Sequence, residues 1–171
     1  MTAADKASFY ENLIAEAKAV IDGEHDAIAN LSNVSSLVAH ALNGSSLHGK
    51  KTYNWVGFYL MRKGELVLGP FQGKVACIRI KPGRGVCGAS VVRKAAVLVP
   101  NVHHFADHIA CDSASNSNSE LVLPLFSPTG DVIGVFDLDC EQEDGFTEED
   151  QAGLEPIVRA LEKECDWSSI Y

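Results

Sequence analysis

At 171 residues, with ordinary hydrophobic (46%) and charged (22%) fractions, the chain suits one globular domain that buries about two-thirds of its unfolded surface. A formal net charge of −9 and the lack of a basic stripe argue against nucleic-acid binding, since Lys50-Lys51 and Arg93-Lys94 are too short to supply one. No basic and apolar leader follows Met1 and the apolar runs are only strand length, so the expectation is a cytoplasmic protein with no membrane contact, whose five cysteines, an odd count, stay free in a reducing compartment.

Phe9, Leu13, Ala17 and Val20-Ile21 recur at spacings of three and four and predict an amphipathic helix over 5–22. A second helix is predicted from His25 to Leu42, with Asn43-Gly44 as its stop. From Tyr53 the period changes: Tyr53–Leu60 is aromatic and branched and reads as a strand, turning at Arg62-Lys63-Gly64 into Glu65–Gly69 to make a hairpin. Cys77–Ile80 reads as a third strand, Gly85–Lys94 as a short helix entered through a glycine-rich turn, and Val97–Val99 as a fourth strand ended by Pro100. Asn101–Ser119 has no apolar period, and an irregular stretch of that length suggests function. Leu121–Phe126, the turn Ser127–Asp131 and Val132–Asp139 form a second hairpin. Thr147 with Asp150 makes a capping box for a closing helix that runs to Cys165. Hairpins outnumber strand–helix–strand units, which argues for an α+β domain, an antiparallel sheet with helices packed on one face. Neither a dinucleotide fingerprint nor a Walker loop is present.

Three cysteines, Cys77, Cys87 and Cys111, fall in the Gly-, His- and Asn-rich region between the hairpins, at spacings that match neither a C-x-x-C redox pair nor a zinc knuckle. Cys87 opens the short helix, where unpaired N–H groups favour partial ionisation, and Cys111 follows His108 in the long loop. The competing reading for each is an inert buried thiol, and that reading is preferred for Cys140 and Cys165. His103, His104, His108 and the three thiols could also ligate zinc, although paired knuckles are missing. Asp137 and Asp139 alternate in their strand and therefore share one face, where two carboxylates either hold a proton, bind a cationic group or sit at a solvated strand end. Glu120 opens the strand after the long loop. Trp55, with Tyr53, Phe58 and Tyr59 nearby, is by default core.

Together the segments Tyr53–Tyr59 (YNWVGFY), Gly69–Cys77 (GPFQGKVAC), Gly83–Gly88 (GRGVCG), Val99–Cys111 (VPNVHHFADHIAC), Ser119–Leu125 (SELVLPL) and Gly134–Asp139 (GVFDLD) resemble the free methionine-(R)-sulfoxide reductases, enzymes built on a GAF domain. The resemblance runs in order over roughly 50–160. It implies a single GAF-like domain over 1–171, with N-terminal helices over about 1–44, the sheet and site over about 50–145 and the closing helix over about 147–165. By position it implies Cys111 as nucleophile, Cys77 as resolving cysteine and Cys87 as an alternative disulfide partner. Trp55 and Tyr59 become the wall against the methylthio end of the substrate, and Glu120, Asp137 and Asp139 the carboxylates of the pocket. In the family the glutamate follows the nucleophile by seven positions. Here it follows by nine: two extra residues lengthen the loop ahead of Glu120, or extend the following strand by an even number that preserves its facing.

The implied reaction reduces free methionine-(R)-sulfoxide. Cys111 attacks the sulfur while protonated Glu120 assists the oxygen, Cys111 becomes a sulfenic acid, Cys77 condenses with it, and thioredoxin or a similar dithiol restores both thiols. Asp137 and Asp139 hold the free α-ammonium group. No cofactor is implied, and family members suggest a homodimer. The alternatives are a GAF sensor with redox-responsive thiols and a zinc protein.

Overall fold

The computed structural model of the chain describes residues 3–106 and 116–170, so His108 and Cys111 lie outside the described residues. Two helices come first, α1 (Ala3–Ile21) and α2 (Ala27–Gly44), the second capped by Asp26, whose side chain accepts from the Ala29 N–H. The chain then forms β1 (Trp55–Arg62) and β2 (Glu65–Gly73), joined by Lys63-Gly64 with φ of 51° and 85°, the positive values that let a two-residue hairpin turn follow the strand twist. After β3 (Arg79–Ile80) come α3 (Gly85–Arg93), β4 (Val97–Val99), β5 (Ser119–Phe126), β6 (Val132–Cys140) and α4 (Glu148–Glu164).

The sheet is antiparallel in the order β3-β2-β1-β6-β5-β4. Its centre is a long-range pairing, β1 with β6, which places Trp55 opposite Asp139 and Gly57 opposite Asp137. Strand alternation divides the side chains between two faces. Val56, Phe58 and Leu60 from β1, Leu121, Leu123 and Leu125 from β5, and Phe136 and Leu138 from β6 form the core beneath the helices. There α2 lies on β1 and β2, α4 lies on β5, and α1 packs against both helices. N-terminal and C-terminal helices thus cover one face, as expected.

The opposite face carries a second, smaller cluster that includes Trp55, Tyr59, Val122 and Val135, covered by α3 through Val86 and Cys87. This separates the aromatic run that reads as one cluster in sequence: Tyr53 and Phe58 belong beneath the helices, while Trp55 and Tyr59 belong to the other face. The approach of α3 depends on Gly88, since a Cβ there would lie 2.5 Å from the Lys81 carbonyl oxygen. The third strand is shorter than expected, Arg79–Ile80, and Cys77 sits in the connection ahead of it.

Candidate active site

On the α3 side, one row across three strands reads Glu120, Asp139 and Trp55, and the next reads Val122, Asp137 and Gly57. Period-two alternation thus brings three carboxylates onto one face, and α3 lays Cys87 over them. One ligating atom each from Cys87, Glu120 and Asp137 lies within 4.8 Å of the others, and Cys87 Sγ is 4.0 Å from Glu120 Oε1. Glu120 is 7% exposed and Asp137 6%, so water does little to separate their charges.

Burial pushes Glu120 well above the usual carboxylate range, and the charges of Asp137 and Asp139 push it further. Asp137 is pushed up by burial to about 6, a rise limited by hydrogen bonds from Cys87, Glu120 and the Leu138 backbone N–H, which favour the ionised form. Asp139 is also raised by burial and by Asp137, against a hydrogen bond with Ser117. The proton of the Glu120–Asp137 pair therefore sits on Glu120, donated toward Asp137. Asp137 Oδ1 is buried and has no hydrogen-bond partner among the described residues. The arrangement presents an acid, Glu120, beside the carboxyls of Asp137 and Asp139, all three raised, with no ion pair to a cation among the described residues. It suits a substrate with an ammonium group and an oxygen to be protonated.

Cys87 corrects the expectation of a partly ionised thiol. Burial raises its pKa first, and the charges of Asp137 and Glu120 raise it again. A first-turn position on α3 cannot offset desolvation combined with like charge. The solvated-strand-end reading of Asp137 is overturned by the same burial.

Trp55 stacks between Tyr59 (centroids 5.7 Å apart, 22° between planes) and Phe71 (5.1 Å, 14°). Each ring also holds the connection after β2: Trp55 Nε1–H donates to the Lys74 carbonyl at 3.1 Å and Tyr59 O–H donates to the Cys77 carbonyl at 3.0 Å. Cys77 is half-buried and disulfide-bonded, whereas Cys87, Cys140 and Cys165 are free thiols. Of the other groups weighed as zinc ligands, His103 Nε2 is hydrogen-bonded to Asn118 Oδ1 at 2.9 Å, and His104 follows it in a 3-10 turn at Val102–His104. Cys111 and His108 lie outside the described residues.

Comparison with known proteins accords with this geometry. The sequence matches the family described as GAF domain over residues 29–162. It is 45% identical over 159 residues to the free methionine-R-sulfoxide reductase of Escherichia coli, a match spanning 93% of this chain and 90% of that one. The namesake protein of Saccharomyces cerevisiae is 39% identical over 164 residues, 94% of this chain and 88% of its own. The chain belongs to the free methionine-R-sulfoxide reductase family of GAF-domain proteins. Among solved structures, the family member from Neisseria meningitidis, in complex with its substrate, superposes with a TM-score of 0.84 at 41% identity, over 96% of this chain and 92% of that one.

Within this GAF domain, residues 116–118 fix the approach to Glu120. Asn118 N–H donates to the Cys140 carbonyl (2.8 Å), its Nδ2 donates to the Glu141 carbonyl (2.6 Å), and Asn54 Nδ2 donates to Ser117 Oγ at 2.9 Å. With Asn118 tied to the sheet and Glu120 opposite Asp139 and Val99, the glutamate is seated in the cluster despite the longer loop. Sequence reasoning missed Asn54, Phe71 and Ser117 as site residues. Phe71 and Asn54 stand inside recognisable segments, but only the β1–β2 and β1–β6 registers bring them to the site.

Proposed function

We propose that the chain reduces the R-epimer of free methionine sulfoxide to methionine. The single observation that carries this reading is the cluster of carboxyls, buried Glu120 and Asp137 with half-buried Asp139, on the same face of the sheet as the Trp55–Tyr59 stack. A sulfoxide sulfur becomes electrophilic only as its oxygen is protonated, and Glu120 is the group whose burial keeps a proton available at neutral pH. Cys111 supplies the thiolate. Methionine departs, the sulfoxide oxygen stays on Cys111 as a sulfenic acid, and Cys77 condenses with it, releasing water and forming a disulfide.

Asp137 and Asp139 take the substrate's ammonium group, which relieves their mutual repulsion and excludes a methionine sulfoxide whose nitrogen lies in a peptide bond. The disulfide-bonded state of Cys77 supports its resolving role, and the buried, proton-holding Cys87 fits a reserve thiol rather than a nucleophile. A thioredoxin-type dithiol of the cytoplasm completes the cycle by exchange.

Thioredoxin-coupled NADPH consumption tests this with the free R-epimer, the free S-epimer and an N-acetylated R-epimer as substrates. Consumption is expected with the first alone and is lost in Cys111→Ser. Equal rates for wild type and Cys111→Ser would remove the reading.

A further inference from the structure

Between Glu65 and Asp107 the chain contains no Asp or Glu, yet it carries Lys74, Arg79, Lys81, Arg84, Arg93 and Lys94. Six positive charges, all exposed, are thus gathered in one stretch of a chain whose net charge is −9. Exposed apolar side chains gather there too. Of the five large ones among the described residues, Val75 (80% exposed), Ile78 (71%) and Val92 (65%) lie in this stretch. Val75 and Ile78 lie on either side of Cys77, the half-buried, disulfide-bonded cysteine, two positions before it and one after.

The segment is firmly held. The Leu68 N–H donates to the Ile78 carbonyl at 3.0 Å, which continues the pairing of β2 with the outer strand β3, and Trp55 and Tyr59 grip the Lys74 and Cys77 carbonyls from within. An apolar centre with a charged rim on a fixed backbone is the anatomy of a protein–protein interface. Single exposed apolar residues need no explanation. Two that bracket a disulfide-bonded sulfur at a sheet edge, in a basic stretch with no acid of its own, do, although Arg79 also reaches Glu65 across the β2–β3 pair at 3.8 Å.

We propose that the edge formed by Val75, Ile78, Arg79 and Lys81 is the docking surface for an acidic dithiol protein of the thioredoxin type, and that its attacking thiolate adds to the sulfur of Cys77. The proposal rests on the reading of Cys77 as the resolving cysteine. The incoming thiolate bonds to Cys77 Sγ, the existing S–S bond breaks, and the departing sulfur leaves as a thiolate that takes a proton from water. The second thiol of the reductant, once deprotonated, attacks its neighbour in the mixed disulfide and expels Cys77 as a thiolate. Two electrons pass to the chain, and the reductant ends as a disulfide. The rest of the chain repels an acidic partner, and the basic rim turns that field into local attraction at the sulfur to be attacked.

The test uses the oxidised full chain, reduced acidic thioredoxin and stopped-flow fluorescence over a series of salt concentrations, with dithiothreitol as a small dithiol control. Arg79→Glu/Lys81→Glu is expected to lower the second-order rate constant with thioredoxin by roughly tenfold or more at low salt, a gap that closes at high salt. Val75→Ser/Ile78→Ser is expected to lower it at every salt concentration. Both variants should react with dithiothreitol as wild type does, which also reports an intact fold. A thioredoxin stripped of its second cysteine should be trapped on Cys77.

Wild-type rates in both variants, trapping on Cys111 or Cys87, or a fall in sedimentation mass in the patch variants, the mark of an interface between two copies of this chain, would each overturn the proposal. None of these measurements uses methionine sulfoxide. A chain that fails to reduce that substrate therefore refutes the proposed reaction and leaves the docking surface standing, and the converse also holds.

Discussion

Asp137 and Glu120 are held in place against their own charge, and that conflict belongs to the site's chemistry. Asp137, pushed up to about 6, binds a proton more tightly folded than unfolded, so its favourable contribution is complete below pH of about 4 and is lost as pH rises through about 6. Asp137→Asn is therefore expected to stabilise the protein at pH 8, by on the order of 1–3 kcal/mol, while weakening binding of the free amino acid; urea unfolding at pH 5 and pH 8 reads the first effect and KM the second. At Glu120, replacement by Gln removes the acid and keeps the shape, and kcat at pH 7 is expected to fall by roughly 100-fold to 10,000-fold. In wild type the rate should decline with rising pH once Glu120 ionises, on the alkaline side of the ordinary carboxylate range. The shared face of Asp137 and Asp139 was legible in the sequence because strand alternation is strictly local. The protonation of Cys87 was not, because it depends on α3 crossing above carboxylates that lie far along the chain.

Among the elements, the junction of α1 with α4 carries the most consequence for stability. Asp150 accepts from the Tyr10 hydroxyl at 2.6 Å, from Lys6 Nζ at 2.8 Å and from the Thr147 backbone N–H at 2.7 Å, and His48 Nε2 stands 3.5 Å away. Despite burial, the hydrogen bonds from Lys6 and Tyr10, the nearby His48 ring and the charge of Lys6 hold its carboxyl well below the usual range. A lowered carboxyl stabilises the fold above its unfolded pKa, near 4, and that contribution disappears on acidification. Asp150→Ala strands the buried Tyr10 hydroxyl, and an unfolding midpoint corresponding to a loss of about 3 kcal/mol is expected.

Three residues on, Gly153 lies directly under the Tyr10 ring, where a Cβ would sit 2.2 Å from Tyr10 Cγ. Gly153→Ala should cost about 1–3 kcal/mol in a denaturation experiment, even though alanine favours the helix, because overpacking outweighs propensity here. The Thr147–Asp150 box was legible as a helix start. The second duty of Asp150 toward α1 was not, since Tyr10 and Lys6 stand 140 and 144 positions earlier in sequence. In the same way, both hairpins follow from turn signals, while the β1–β6 pairing that builds the site joins strands from opposite ends of the sheet-forming region and leaves no local mark.

At the scale of the whole molecule, the sheet separates two tasks. The face beneath α1, α2 and α4 is almost wholly apolar and supplies stability, while the face beneath α3 carries the carboxylates, the aromatic stack and Cys77. Six exposed basic residues stand in the stretch from Lys74 to Lys94, the stretch that also contains Cys77 and α3. If these parts form one machine, substrate reduction and thiol loss must occur in fixed proportion. The most direct test mixes the fully reduced chain with one equivalent of free methionine-(R)-sulfoxide, without any external reductant, and counts methionine and thiols. One methionine formed per chain, with two of the five thiols lost and the new disulfide mapped to Cys77 and Cys111, is the expected result. All five thiols intact and no methionine formed would contradict it.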